Sequence, residues 1–197
     1  YSSSNANGPW TLINGATQQT YVPGTLNTPG NYYYSVLVNQ SVSGCSAGQS
    51  QAAQITVVNE ITVTSPTGST YCQNAANVSA LSVSASGGNG SSYAYQWYST
   101  ASNNNTSGTA INGATSATFT PPVSTVGTLY YYCVVSQLPS QNSCSTNSAQ
   151  TAIIVNPGPS FSTQPNPLQS VCINGTLSPL VVAVNGGNGV PSYQWYS

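Results

Sequence analysis

The sequence predicts an all-β chain of tandem Greek-key β-sandwich repeats with a period of about 98 residues. Three observations predict it. First, short motifs return in order. Ile13-Asn14-Gly15-Ala16-Thr17 recurs as Ile111-Asn112-Gly113-Ala114-Thr115, Tyr32-Tyr33-Tyr34 as Tyr130-Tyr131-Tyr132, and Gln96-Trp97-Tyr98-Ser99 as Gln194-Trp195-Tyr196-Ser197, each 98 positions on. Gly87-Gly88-Asn89-Gly90 recurs as Gly186-Gly187-Asn188-Gly189 after 99. One such match in a Ser-rich chain is chance, but four in order at one spacing are a repeat. Second, aromatic and β-branched residues fall in short alternating runs and never in a sustained helical period. Third, Gly, Pro and Asn punctuate those runs often enough for about seven short strands per unit.

The elements follow in order. Residues 1–9 are polar and read as a loop. Trp10, Leu12 and Ile13 lead into Asn14-Gly15, a favoured tight-turn pair. Thr20-Tyr21-Val22 is a short strand that Pro23-Gly24 ends, and residues 31–39 form the strongest strand of the first part. Gly44-Cys45 lies beyond a hairpin, and residues 53–58 close the unit. The second unit opens on residues 60–64, with Cys72 on a connection and Leu81, Val83 and Ala85 alternating with Ser82 and Ser84. The turn at 87–90 feeds the strand carrying Tyr93, Tyr95 and Trp97. Residues 99–109 are a polar loop, Ala117 and Phe119 a short strand stopped by Pro121-Pro122, and residues 129–136 and 151–155 the last two long strands. A third copy runs through Cys172, the apolar residues 180–184 and the turn at 186–189 to Trp195. The predicted organisation is the C-terminal part of one repeat (1–59), a complete repeat (60–157) and the N-terminal part of the next (158–197). The outer parts are expected to continue into further repeats. The junction between Val58 and Ile61 leaves no flexible spacer, so neighbouring repeats are expected to be close-coupled.

Composition removes whole classes of function. The chain has no Lys, Arg or His, and Glu60 is its one acidic residue. Without cations it cannot neutralise phosphates, so no nucleic-acid partner is expected, and no basic patch is available to an anionic membrane. The apolar runs are too short to span a bilayer, so no direct membrane insertion of this region is expected. No His-based triad or carboxylate pair can be assembled, so an enzyme is not expected. No cofactor or metal site is expected either, since His is absent and the Cys residues do not cluster. Ser, Thr, Asn and Gln supply an uncharged polar surface suited to an extended external structure.

Trp97 stands 36 residues before Cys133, and Tyr131 stands two before that Cys. A Trp on the third strand and a Tyr two before a Cys on the sixth follow the immunoglobulin pattern. Tyr95-Gln96-Trp97-Tyr98, the Ile-x-Gly-Ala-Thr motif at 111–115, Phe119-Thr120-Pro121 (Tyr21-Val22-Pro23 in the first copy), the Tyr-rich strand and Gly44-Cys45 complete a set. In these motifs the whole chain resembles the immunoglobulin-like tandem repeats of giant secreted surface proteins of the Bacteroidota, of the gliding-motility adhesin type. The resemblance implies immunoglobulin-like sandwiches serving as a stalk or filament at the cell surface, extracellular or secreted, that supports adhesion or gliding. Its implied partners are adjacent repeats or copies of the same protein, end to end. A surface glycan or partner-cell ligand, met by outward tyrosines, is the alternative.

Trp97, Trp195, Tyr33, Tyr131, Val83 and Phe119 are assigned to the core. Neighbours on a strand point to opposite faces, so Tyr32, Tyr34, Tyr130 and Tyr132 are expected outside. There they meet a second strand of a filament, bind a glycan, or clothe a half-exposed sheet. Five cysteines suit an oxidising setting. The first repeat has Ser35 where the second has Cys133 but keeps Cys45 where the second has Cys144. The recurrent types therefore point to a Cys72–Cys144 disulfide within the middle repeat, a staple between adjacent repeats staying open. Cys45 and Cys172 then take partners outside this stretch, and Cys133 is an unpaired buried thiol.

Overall fold

A computed structural model describes residues 1–40, 46–90, 92–137 and 144–197 of the chain. The described residues contain strands and turns and no helix. Among them no helix is therefore long and apolar enough to cross a membrane. By its contacts the chain divides into two compact units, residues 1–60 with 87–90 and residues 61–86 with 91–197.

The first unit carries β1 (Ser2–Ser3), β2 (Gly30–Tyr34), β3 (Leu37–Val38), β4 (Gly48–Gln49) and β5 (Ala53–Val57). An antiparallel sheet runs β1-β2-β5, and β3 pairs with β4. Residues 31–39, expected as one strand, divide at Ser35. The Ser35 hydroxyl donates to the Ser50 carbonyl (3.2 Å) and the Val36 N–H donates to the Ser50 hydroxyl (3.0 Å), so the ladder passes through side chains there. Thr20-Tyr21-Val22 is not a strand, and Ser2 and Ser3 are one although a loop was expected. Ser2 stands opposite Tyr34 as Tyr98 stands opposite Tyr132. Ser35 is the one buried residue among the described residues of this unit.

The chain continues through β6 (Asn59–Val63), β7 (Ser69–Cys72), β8 (Leu81–Ser82), β9 (Ala85–Gly88), β10 (Tyr93–Thr100), β11 (Thr109–Ala110), β12 (Thr118–Phe119), β13 (Gly127–Gln137), β14 (Ser145–Asn147) and β15 (Thr151–Asn156). Last come β16 (Ser160–Thr163) and β17 (Ala183–Asn185). The main sheet runs β11-β10-β13-β15-β7, with β14 also on β13. Its axis is β13, the longest strand, which is antiparallel to β10, β14 and β15. Only β7 is parallel, to β15. The pairs β6-β9, β8-β12 and β16-β17 are separate ribbons.

Alternation along β13 sends Tyr131, Cys133 and Val135 to one face, where they are buried with Ile61, Leu81, Val83, Trp97, Val123, Ile153 and Val155. The β8-β12 ribbon brings Leu81 and Phe119 to the same cluster. The Asn112-Gly113 pair makes its turn as the sequence demands. Gly113 adopts φ +75°, and the Ala114 N–H donates to the Ile111 carbonyl at 3.1 Å.

The cysteines correct the sequence reading. Among the described residues no disulfide forms, and Cys72, Cys133, Cys144 and Cys172 are free. The expected Cys72–Cys144 bond is ruled out by the sheet itself. Cys72 is on a strand and not a connection, and the parallel pairing sets it beside Asn156, at the end of β15 that meets the start of β13. Cys144 accepts from the Gln137 N–H, at the far end of β13. The length of β13, roughly 30 Å at the usual rise per residue, separates them, whereas a disulfide needs Cα atoms within about 7 Å. Cys172 is exposed, and the reading for Cys45 lies outside the described residues.

Candidate functional site

The middle of the chain is built around Trp97, which is fully buried. It lies opposite Cys133 in the β10–β13 ladder. Its ring is 5.9 Å from Phe119, which is in turn 5.6 Å from Tyr131, centroid to centroid. The indole N–H donates to the Ser116 carbonyl at 2.9 Å, so its polar edge is satisfied inside the core. Val83 is also buried, and Phe119 packs on the same cluster half-buried. Burial pushes the Tyr131 hydroxyl above its ordinary range.

Trp195 is placed differently. It is 49% exposed and belongs to no strand. The described strands of residues 158–197 are β16 and β17, and no residue of this stretch is buried. Tyr33 is half-buried in β2.

The opposite face of the main sheet carries the tyrosines expected there, and Tyr132 lies on that face but is covered and not open to a surface contact. Tyr132 is only 3% exposed. Its ring stacks on Tyr98 at 5.1 Å and 6°, and its hydroxyl accepts the Gly108 N–H at 3.0 Å. The cover is the segment 101–108, which follows β10 and folds back over the sheet. Amide side chains pin it. Asn105 Nδ2 donates to the Ser148 carbonyl (2.8 Å), Asn147 Nδ2 to the Asn105 carbonyl (2.7 Å) and Gln150 Nε2 to Asn103 Oδ1 (2.8 Å). Tyr130 is half-buried. In the first unit Tyr32 and Tyr34 are also half-buried, with the Tyr32 hydroxyl donating to the Thr28 carbonyl (2.8 Å) and the Tyr34 ring 5.9 Å from Tyr21.

Ser148 was not anticipated. It is fully buried, its hydroxyl accepts the Cys133 N–H (3.0 Å) and donates to the Ala149 carbonyl (2.9 Å), and its own N–H donates to the Cys133 carbonyl (2.8 Å). It continues the β13 ladder across the gap between β14 and β15. Nothing in a Ser-rich sequence marks this serine. Tyr98 was findable, because it alternates with Trp97 and returns as Tyr196.

Burial pushes the Cys133 thiol up to about 11 from an ordinary 9.0. A neutral, enclosed thiol is a poor nucleophile. With iodoacetamide at pH 8, Cys172 is therefore expected to alkylate at the rate of a free thiol and Cys133 only on unfolding. Equal rates in native protein, read by peptide mass mapping, would refute this placement.

No group of three or more His, Cys, Asp or Glu side chains gathers among the described residues. A cleft of about 400 Å³ opens between Phe161, Tyr193 and the glycine turn 186–189. No charged side chain lines it.

The described geometry defines an all-β domain whose features are a packed aromatic core and a self-covered sheet face. Residues 61–157, the stretch that holds both, match the family model described as Domain of unknown function (DUF8696). No curated protein matches the chain at a significant level.

Proposed function

We propose that this chain is a structural element, a stalk or filament of tandem immunoglobulin-like sandwich repeats at a bacterial cell surface, joined end to end and supporting adhesion or gliding. The observation that carries the reading is strand register. The antiparallel pairs Tyr32↔Ile55 and Tyr33↔Gln54 in β2–β5 have counterparts in Tyr130↔Ala152 and Tyr131↔Thr151 of β13–β15, 98 positions on in the first strand and 97 in the second. The turns agree as well. Ala16 N–H to Ile13 carbonyl and Thr17 N–H to Gly15 carbonyl recur as Ala114 to Ile111 and Thr115 to Gly113. Seen this way, 1–59, 60–157 and 158–197 are successive portions of one plan, and the β8-β12 ribbon facing the main sheet is the second layer of the sandwich. Catalysis is not part of the role: the chain has no His, Lys, Arg or Asp to move a proton. The alternative, glycan or protein binding through outward tyrosines, loses its strongest ring, since Tyr132 is already stacked and capped.

An uncharged assembly has no ionic contacts to screen. Electron microscopy and sedimentation are expected to find elongated end-to-end particles, equally abundant in 50 mM and 1 M NaCl. Compact monomers at every concentration in both salts would sink the proposal.

A further inference from the structure

The motif Gly-Gly-Asn-Gly occurs at 87–90 and again at 186–189, and both copies take the same unusual backbone. Gly87 and Gly88 have φ of +85° and +64°, and Gly186 and Gly187 have φ of +78° and +79°. Two left-handed residues in succession strongly favour glycine. Both copies also follow the same ribbon. β9, which runs into the first turn, pairs with β6, and β17, just before the second, pairs with β16.

The second copy reaches beyond its own hairpin. The Gly187 N–H donates to the Pro157 carbonyl at 2.7 Å, and Asn188 Nδ2 donates to the Thr70 carbonyl at 3.2 Å, 118 residues back. A Cβ at position 186 would lie 2.6 Å from the Gly158 carbonyl oxygen and 3.2 Å from that of Pro157. Pro157 and Gly158 are the link that leaves β15, and Thr70 is on β7, the edge strand of the main sheet. An edge strand presents backbone groups that no ladder satisfies, and the Asn188 amide takes one of them. The first copy points the same way, since residues 87–90 belong by their contacts with residues 1–60.

We propose that the Gly-Gly-Asn-Gly turn couples each repeat to the one before it, its partner surface being the exit link and the β7 edge of that preceding repeat. This deepens the proposed function and rests on its division of the chain after residues 59 and 157. The glycines let the turn run against the link, where a side chain would stand in the link's backbone, and the Asn reaches past it to the edge strand. In a tandem array the interface between neighbours adds to the stability of each unit. A turn fixed to the edge strand as well as to the link also limits rotation about that link.

Hydrogen exchange on the full chain tests this with Gly186→Ala, Asn188→Ala and, as a control, Gly158→Ala, whose Cβ would meet nothing within 4 Å. Asn188→Ala removes the bond to Thr70 and keeps the three glycines. It is expected to speed exchange about fivefold, the scale of one hydrogen bond, in residues 183–187 and 69–72 together. Gly186→Ala is expected to speed both segments about tenfold or more, and Gly158→Ala neither. Amides of β10 and β13 should keep their rates in all three, which reports that the core stays folded. Faster exchange in 183–187 alone would mean that the turn serves only its own hairpin and would overturn the coupling. Unchanged exchange in both segments, or an equal effect from Gly158→Ala, would overturn it too. The filament reading fails separately: compact particles in both salts, with the two segments still loosening together, would sink it and leave the coupling in place.

Discussion

Trp97→Ala is expected to destabilise the middle of the chain by about 3–5 kcal/mol, the range for emptying a large aromatic site in a core. Trp97 has no solvent-exposed surface, lies opposite Cys133 and rests on Phe119, so its removal leaves a hole bounded by β10, β12 and β13. These neighbours are held in ladders and collapse only partly, which keeps the cost high. A second loss adds to it, because the Ser116 carbonyl now receives the indole N–H and would be left without that donor. For a domain of this size, stable by about 5–15 kcal/mol, this is about a fifth of the total or more. Trp97→Phe, which keeps a ring but not the N–H, is expected to cost about 1–3 kcal/mol. Urea titration followed by circular dichroism measures both. A loss below about 1 kcal/mol for the alanine variant would mean that the core is organised around another residue.

Gly68→Ala is expected to detach β7 from the sheet at a cost of about 1–3 kcal/mol, the usual scale for overpacking. A Cβ at position 68 would lie 2.3 Å from the Ala152 carbonyl oxygen and 2.6 Å from Thr151 Oγ1. The first of these is backbone inside β15 and cannot rotate away. The change therefore falls on the entry to the parallel ladder, Ser69 to Ile153 through Cys72 to Asn156. Hydrogen exchange is the sharper measurement. Amides of residues 69–72 should lose protection while those of β10 and β13 keep it. Unchanged protection over 69–72 would contradict the close approach.

The all-β class is legible because the apolar residues alternate and the turn residues are spaced for short strands. The facing of β13 can be read from Tyr131, Cys133 and Val135 alone, since alternate residues share a side. Longer-range facts were not legible. Alternation also puts Tyr132 on the far face, but whether that face is open depends on residues 101–108 folding back, and their polarity looks the same in a free loop. The failed disulfide has a similar cause. Recurrence pairs the types of Cys72 and Cys144, but the parallel pairing of β7 with β15 sets them at opposite ends of a long strand. Ser148 is invisible for the plainest reason, because its place in the β13 ladder belongs to a gap between two partner strands.

The segment folded over Tyr98 and Tyr132 is held by amide side chains, a backbone N–H on a phenol and a ring stack, with no charged group among them. A latch of this kind has no ionic handle. Raising salt does not screen it. It is released only by something that competes for its hydrogen bonds or fits the ring face better than the loop does. The sheet beneath therefore stays covered through changes of ionic strength, and opens only to a competitor for those hydrogen bonds or for the ring face.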